Sequence, residues 1–169
     1  MNIDPFLIWL EATPLSQWIV GSPSMFAFPG ILVLHALGMG VAAGLSVALD
    51  LRILGVAASM PLAEFRRFRP VSWAGFWLNA VSGVLLLVGY PTKALTNPVF
   101  YLKLLLIAIG MVLMARMQRT IADEGVFADP PAANRLRRLA AVSLVCWTGA
   151  IFAGRLLAYT HTRLTATEL

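Results

Sequence analysis

Residues 26–50 read FAFPGILVLHALGMGVAAGLSVALD, and ahead of Asp50 the one ionisable side chain in that run is His35. An α-helix rises 1.5 Å per residue, so about 20 apolar residues cross the hydrocarbon core of a bilayer. The run meets that length and is too poor in charge for the surface helix of a soluble domain. Pro29 is tolerable in its first turn, where a missing N–H has no helical partner to lose. Outward from this stretch, nothing else between Glu11 and Asp50 carries a charge, and no Asp, Glu, Lys or Arg falls between Arg69 and Lys93. The predicted spans are 26–50, 71–90, 98–117 and 139–159, with short Pro/Asn turns joining the second to the third. Composition agrees, at 59% hydrophobic and 12% charged residues with a mean hydropathy of +0.80, against about 25% charged in a soluble domain.

The fold class expected is therefore all-α, an integral membrane four-helix bundle over residues 23–169, preceded by an N-terminal amphipathic interfacial segment in residues 1–22. In that segment Ile3, Phe6, Leu7 and Leu10 fall at helical spacing, while Asp4 and Glu11 interrupt the run. Thr13 and Pro14 read as a cap followed by proline at the first helical position, opening a second short turn with Trp18 and Ile19. Such a segment suits the membrane interface.

The net charge of +5 fits lipid headgroups, and on so apolar a chain no nucleic-acid partner is expected. Arg52, Arg66, Arg67 and Arg69 lie in the linker after the first span, and Arg116, Arg119, Arg135, Arg137 and Arg138 around the linker before the fourth. The positive-inside rule makes both linkers cytoplasmic and both termini periplasmic. The first basic residue is Arg52, so no cleavable signal peptide is expected. Cys146 is the sole cysteine, which rules out an intrachain disulfide and reads as a small buried hydrophobe.

Ionisable groups inside spans are costly and usually have a partner or a purpose. His35, Lys103, Arg155 and His161 all fall toward the outer half, where no acid accompanies them. Imidazole ligates haem iron, and helix bundles house cofactors between facing helices. The leading expectation is a b-type haem ligated by His35, with His161 as the second ligand, or Met39 or a histidine from another subunit in its place. Gly38, one turn from His35, would make room for the porphyrin, and Lys103 and Arg155 would pair with the propionates. Depth argues against a shared haem: a first span beginning near residue 26 puts His35 about 13 Å below the surface, well below His161. A satisfied structural histidine and snorkelling cations are the plainer alternatives.

Met111, Met114 and Met117 recur every three residues on the third span, with Cys146 at similar depth and Met39 one turn from His35. Soft sulfur suits Cu(I), which makes copper the alternative cofactor, although methionine at helical spacing more often fills core. Gly40 and Gly44 form a GxxxG pair extended by Ala36, so a neighbouring helix backbone could approach there, in this chain or in a homo-oligomer. Asp50 is expected to pair with an arginine of the following linker, and Asn79 to hydrogen-bond across helices. Trp73 and Trp77 suit one aromatic belt and Tyr90, Tyr101 and Tyr159 the other. No nucleotide loop, nucleophile set, CxxC or HExxH pattern occurs, so an enzyme acting alone is not expected.

The stretches LHALGMGVAAGLSVALDLRILG, SGVLLLVGYP and LTNPVFYLKLLLI resemble a family of small four-helix proteins of the bacterial inner membrane with no assigned activity. They are more weakly similar to the membrane domain of copper-resistance protein D. The resemblance spans the first three helices and implies that His35, Asp50, Arg52, Asn97 and Lys103 stand at motif positions. Three roles are open on the sequence: haem-b electron transfer, copper or small-solute transport, and a structural subunit or anchor of a larger membrane complex.

Overall fold

The computed structural model describes residues 4–56, 58–121 and 127–160. Among these, eight helices run α1 (Asp4–Glu11), α2 (Pro14–Gly21), α3 (Phe28–Ile53), α4 (Ala63–Arg67), α5 (Arg69–Gly89), α6 (Pro91–Leu95), α7 (Pro98–Thr120) and α8 (Pro130–Tyr159). Four of them, α3, α5, α7 and α8, are long and apolar enough to cross a membrane. The protein is a helical bundle suited to a bilayer, and its spans correspond to the four read from the sequence. The largest departure is α8, which begins nine residues before the apolar run at 139. Pro130 and Pro131 pre-set helical φ at its start, and the turns carrying Arg135, Arg137 and Arg138 continue the helix beyond the hydrocarbon. Hydropathy marks where a helix meets lipid, not where it begins.

Packing runs α5 on α3, α3 on α8 and α8 on α7, while α5 and α7 barely touch. Between apolar helices in lipid there is little hydrophobic driving force, so close van der Waals approach has to hold them. On α3 that approach is made by Gly38. A methyl group placed there would lie 2.5 Å from the backbone nitrogen of Asn79 and 2.9 Å from the carbonyl oxygen of Gly75. The GxxxG pair expected to do this does not: nothing lies within 4 Å of a methyl on Gly40 or Gly44. With Ala36, that stripe is exposed, because it occupies the face of α3 turned away from both α5 and α8. On the other pair, Gly110 of α7 lets the indole of Trp147 lie against the helix, so close that a methyl on Gly110 would stand 3.0 Å from the ring. Trp147 is 1% exposed and centres a cluster of Ala42, Ala43, Met111 and Met114.

The N-terminal segment caps one end of the bundle. Leu7 and Ile19 are fully buried, with Ile19 against Gly89 at the end of α5, and the Thr92 hydroxyl donates to Glu11 Oε1 at 2.5 Å. Phe6, Trp9, Leu15 and Trp18 remain exposed, an outward apolar rim of the kind that lies among headgroups. At the same end Asn97 caps α7, its side-chain oxygen accepting from the Val99 N–H at 3.0 Å, while its amide donates to the Thr160 carbonyl beyond α8. Replacing Asn97 with alanine should cost about 1 kcal/mol for the cap and somewhat more for the cross-link. A fall in the thermal unfolding midpoint in detergent would register it.

At the opposite, arginine-rich end, the expected pairing of Asp50 is not found. Asp50 is fully buried, no ion pair joins it to an arginine among the described residues, and the polar side chain that faces it is the buried Ser143 of α8. Arg52 instead donates to the carbonyls of Met60 at 2.6 Å and Ala58 at 2.7 Å. Two residues along a helix is about 200° around it. The carboxyl therefore turns into the bundle while the guanidinium turns out to the linker.

Candidate functional site

His35 lies about two turns into α3, on the side facing α5. Five polar contacts surround its ring, two of them from the Asn79 amide nitrogen, 3.2 Å from Nδ1 and 3.5 Å from Nε2. Nδ1 is 3.0 Å from the Asn79 carbonyl oxygen and 3.3 Å from Ser82 Oγ, and Nε2 is 3.4 Å from Lys103 Nζ. A carbonyl can only accept. The Ser82 hydroxyl proton is already directed to the Leu78 carbonyl at 2.6 Å, so its oxygen also acts as acceptor. Lys103, a donor without lone pairs in its ammonium form, then matches a free lone pair on Nε2. The Asn79 carbonyl, Ser82 and Lys103 fit the tautomer with the proton on Nδ1, and the carbonyl at 3.0 Å is the nearest contact of that nitrogen, ahead of the Asn79 amide at 3.2 Å.

Asn79 holds the histidine twice, because its side-chain amide also donates to the His35 carbonyl at 2.8 Å. The cross-helix bond expected of Asn79 is thus present, and its partner is the histidine's own turn. Gly83, one turn on, leaves room for the ring: a methyl there would lie 3.1 Å from His35 Cε1. Ser72, Gly75, Asn79 and Ser82 are buried along α5, so the small and polar stripe of that helix is the surface on which α3 and its histidine rest.

Lys103 approaches from α7, its stem passing Gly154 of α8, where a methyl would lie 3.6 Å from Cε. His35, Asn79 and Lys103 together form the polar wall of a cavity of about 470 Å³ that fills the gap between α5 and α7. Phe76, Val84, Leu87, Leu104 and Ile107 make most of the remaining wall apolar. Val84 and Leu104 on its two sides are largely exposed, so the cavity opens sideways from the bundle.

Of the other expected site residues, Gly38 faces the α5 backbone rather than a cofactor space. Arg155 is exposed on α8 and is not part of the cavity wall. Met39 packs beside the Trp147 cluster with Met111 and Met114, and Met114 Sδ accepts from the Ser46 hydroxyl at 3.0 Å. Met117 belongs to a separate buried cluster with Leu49 and Leu136, and Cys146 is a buried free thiol. His161 lies outside the described residues. Among the described residues no group of three or more His, Cys, Asp or Glu side chains converges to hold a metal. Ser82, Gly83 and Gly154 are contributors that the sequence reading missed.

Comparison with known protein families, with curated proteins and with solved structures finds no match to this chain.

Proposed function

We propose that this integral membrane protein holds a b-type haem in the cavity between α5 and α7 and serves in electron transfer, with His35 as an axial ligand and Lys103 against a propionate. The observation that carries the reading is the state of the His35 ring. A metal-binding histidine almost always donates its second N–H to a carbonyl or carboxylate, which fixes the tautomer and raises the basicity of the ligating nitrogen. Asn79 provides that carbonyl, and Nε2 faces the apolar cavity with Lys103 Nζ 3.4 Å away, so the ammonium has to swing off that lone pair toward a propionate when iron takes it. Haem bound there would supply one-electron chemistry. The chain's own contributions are to orient the imidazole through α5, to exclude water with leucine, valine and phenylalanine, and to bring one cation to balance the cofactor's carboxylates.

Arg155, exposed on α8, drops out of that set, and Met39, turned to the Trp147 cluster, drops out as the second ligand. By the positive-inside rule the arginine-rich linkers face the cytoplasm. That puts the site in the outer half of a bacterial inner membrane, with electrons leaving toward the periplasm. The test is the visible spectrum of protein purified from cells supplied with ample haem. A Soret band, with α and β bands appearing on dithionite reduction, is the expected result, and a featureless spectrum rejects the proposal.

A second reading, Cu(I) handling, draws on the meeting of Met39, Met111 and Met114, because Met111 also borders the cavity that holds His35. It requires stoichiometric copper by elemental analysis, lost in Met111→Leu. Protein free of both haem and copper would leave the role of a structural subunit, to be sought by co-purification of a partner.

A further inference from the structure

Two clefts lie at the arginine-rich end, far from His35. The larger, about 700 Å³, is lined by Arg116 and Arg119 of α7 and Arg135 of α8, with Leu136 and Leu139 in its wall. The smaller, about 400 Å³, is lined by Arg66, Arg69 and Arg119 with Gln118 and Ile121. Arg119 therefore stands between them and belongs to both. Among the described lining residues of the two clefts the sole carboxylate is that of Asp129.

This is more than the scattered positive charge of a cytoplasmic loop. Arginines from two different spanning helices line one concave space, and planar guanidinium forks match phosphate oxygens in geometry as well as charge. Leu139 stands where α8 enters the apolar zone, whereas Leu136 is 1% exposed and belongs to the core beneath, so the larger cleft has a cationic mouth and one apolar edge. A free phosphate would use only the first, whereas a phospholipid would use both. Basic pockets between spanning helices at this depth suit acidic headgroups.

We infer that Arg116, Arg119 and Arg135 form a binding site for the phosphate of an acidic phospholipid, with Leu139 against its upper acyl carbons.

The test compares phosphatidylglycerol, phosphatidylcholine and inorganic phosphate on the full chain in mild detergent, reading lipid retention by native mass spectrometry and the unfolding midpoint. Phosphatidylglycerol should bind at least about tenfold more tightly than phosphatidylcholine, since each charge-assisted bond is worth about that factor or more, and should raise the midpoint. The double variant R116Q/R135Q should lose the preference, while R67Q should keep it, because Arg67 pairs with Glu64 at 3.5 Å outside both clefts. Midpoints in phosphatidylcholine alone show that each variant is folded, and R135Q alone carries the test if the double variant is not. Equal binding of the two lipids, or a preference that survives R116Q/R135Q, overturns the inference. So does stabilisation by inorganic phosphate equal to that by phosphatidylglycerol, which would make this a site for a free anion.

Discussion

His35→Ala should abolish the Soret band, leaving a folded, colourless protein. The substitution removes the imidazole whose Nε2 is presented to the α5–α7 cavity, and with it the proposed axial ligand. Asn79→Leu should give an intermediate result. It keeps the backbone carbonyl that accepts from Nδ1 but loses the amide that ties the histidine's turn to α5 at 2.8 Å. Loss of a group that orients a ligand typically lowers metal affinity about 10- to 100-fold, so haem should still bind and should be extracted faster. Arg155→Gln should retain the full spectrum, since that side chain is exposed away from the cavity. Haem titration of the three variants checks the series, and a Soret band undiminished in His35→Ala would remove His35 from the site.

The second large effect is expected at Gly38. Alanine is the better helix former, by about 1 kcal/mol, yet Gly38→Ala should destabilise the bundle. Its methyl would meet the Asn79 backbone nitrogen at 2.5 Å and its Cα at 2.9 Å, atoms that cannot swing aside as the end of a side chain can. Overpacking of this kind costs about 1–3 kcal/mol and occasionally more. Relief would come from parting α3 and α5, which also carries His35 away from Asn79. Gly40→Ala is the matched control, because its methyl meets nothing within 4 Å and should leave stability within about 0.5 kcal/mol. Thermal unfolding followed by circular dichroism should show a lowered midpoint for Gly38→Ala alone, together with weaker haem retention. Equal midpoints for the two variants would mean that the close approach of α3 to α5 does not hold the bundle together.

The four spans were legible because charge is excluded from hydrocarbon, a constraint that shows in a single sequence. Depth was legible for the same reason: His35, Lys103 and Arg155 were placed at comparable levels by counting residues. Direction around the helix axis was not. Lys103 meets His35 and Arg155 does not, and nothing in the pattern of either span distinguishes them, because lipid-facing and helix-facing sides are both apolar. The same gap explains the glycines on α3. Gly38 packs against a neighbour and Gly40 and Gly44 face outward, although the GxxxG spacing favoured the latter pair. One usable signal was passed over. Ser72, Gly75, Asn79 and Ser82 recur on one side of α5 at helical spacing, and in an otherwise aliphatic helix such a stripe marks the contact face. It would have named α5 as the partner of His35.

The sideways opening between Val84 and Leu104 changes what concentration means for this protein. A hydrophobic ligand reaching that gap arrives from the acyl-chain phase, where it is enriched over water by its partition coefficient. Occupancy is then set by moles of ligand per mole of lipid, and diluting the aqueous phase alone should leave it nearly unchanged. An affinity measured in a large excess of detergent micelles would understate the one that operates in a crowded bilayer, by the ratio of the two apolar volumes.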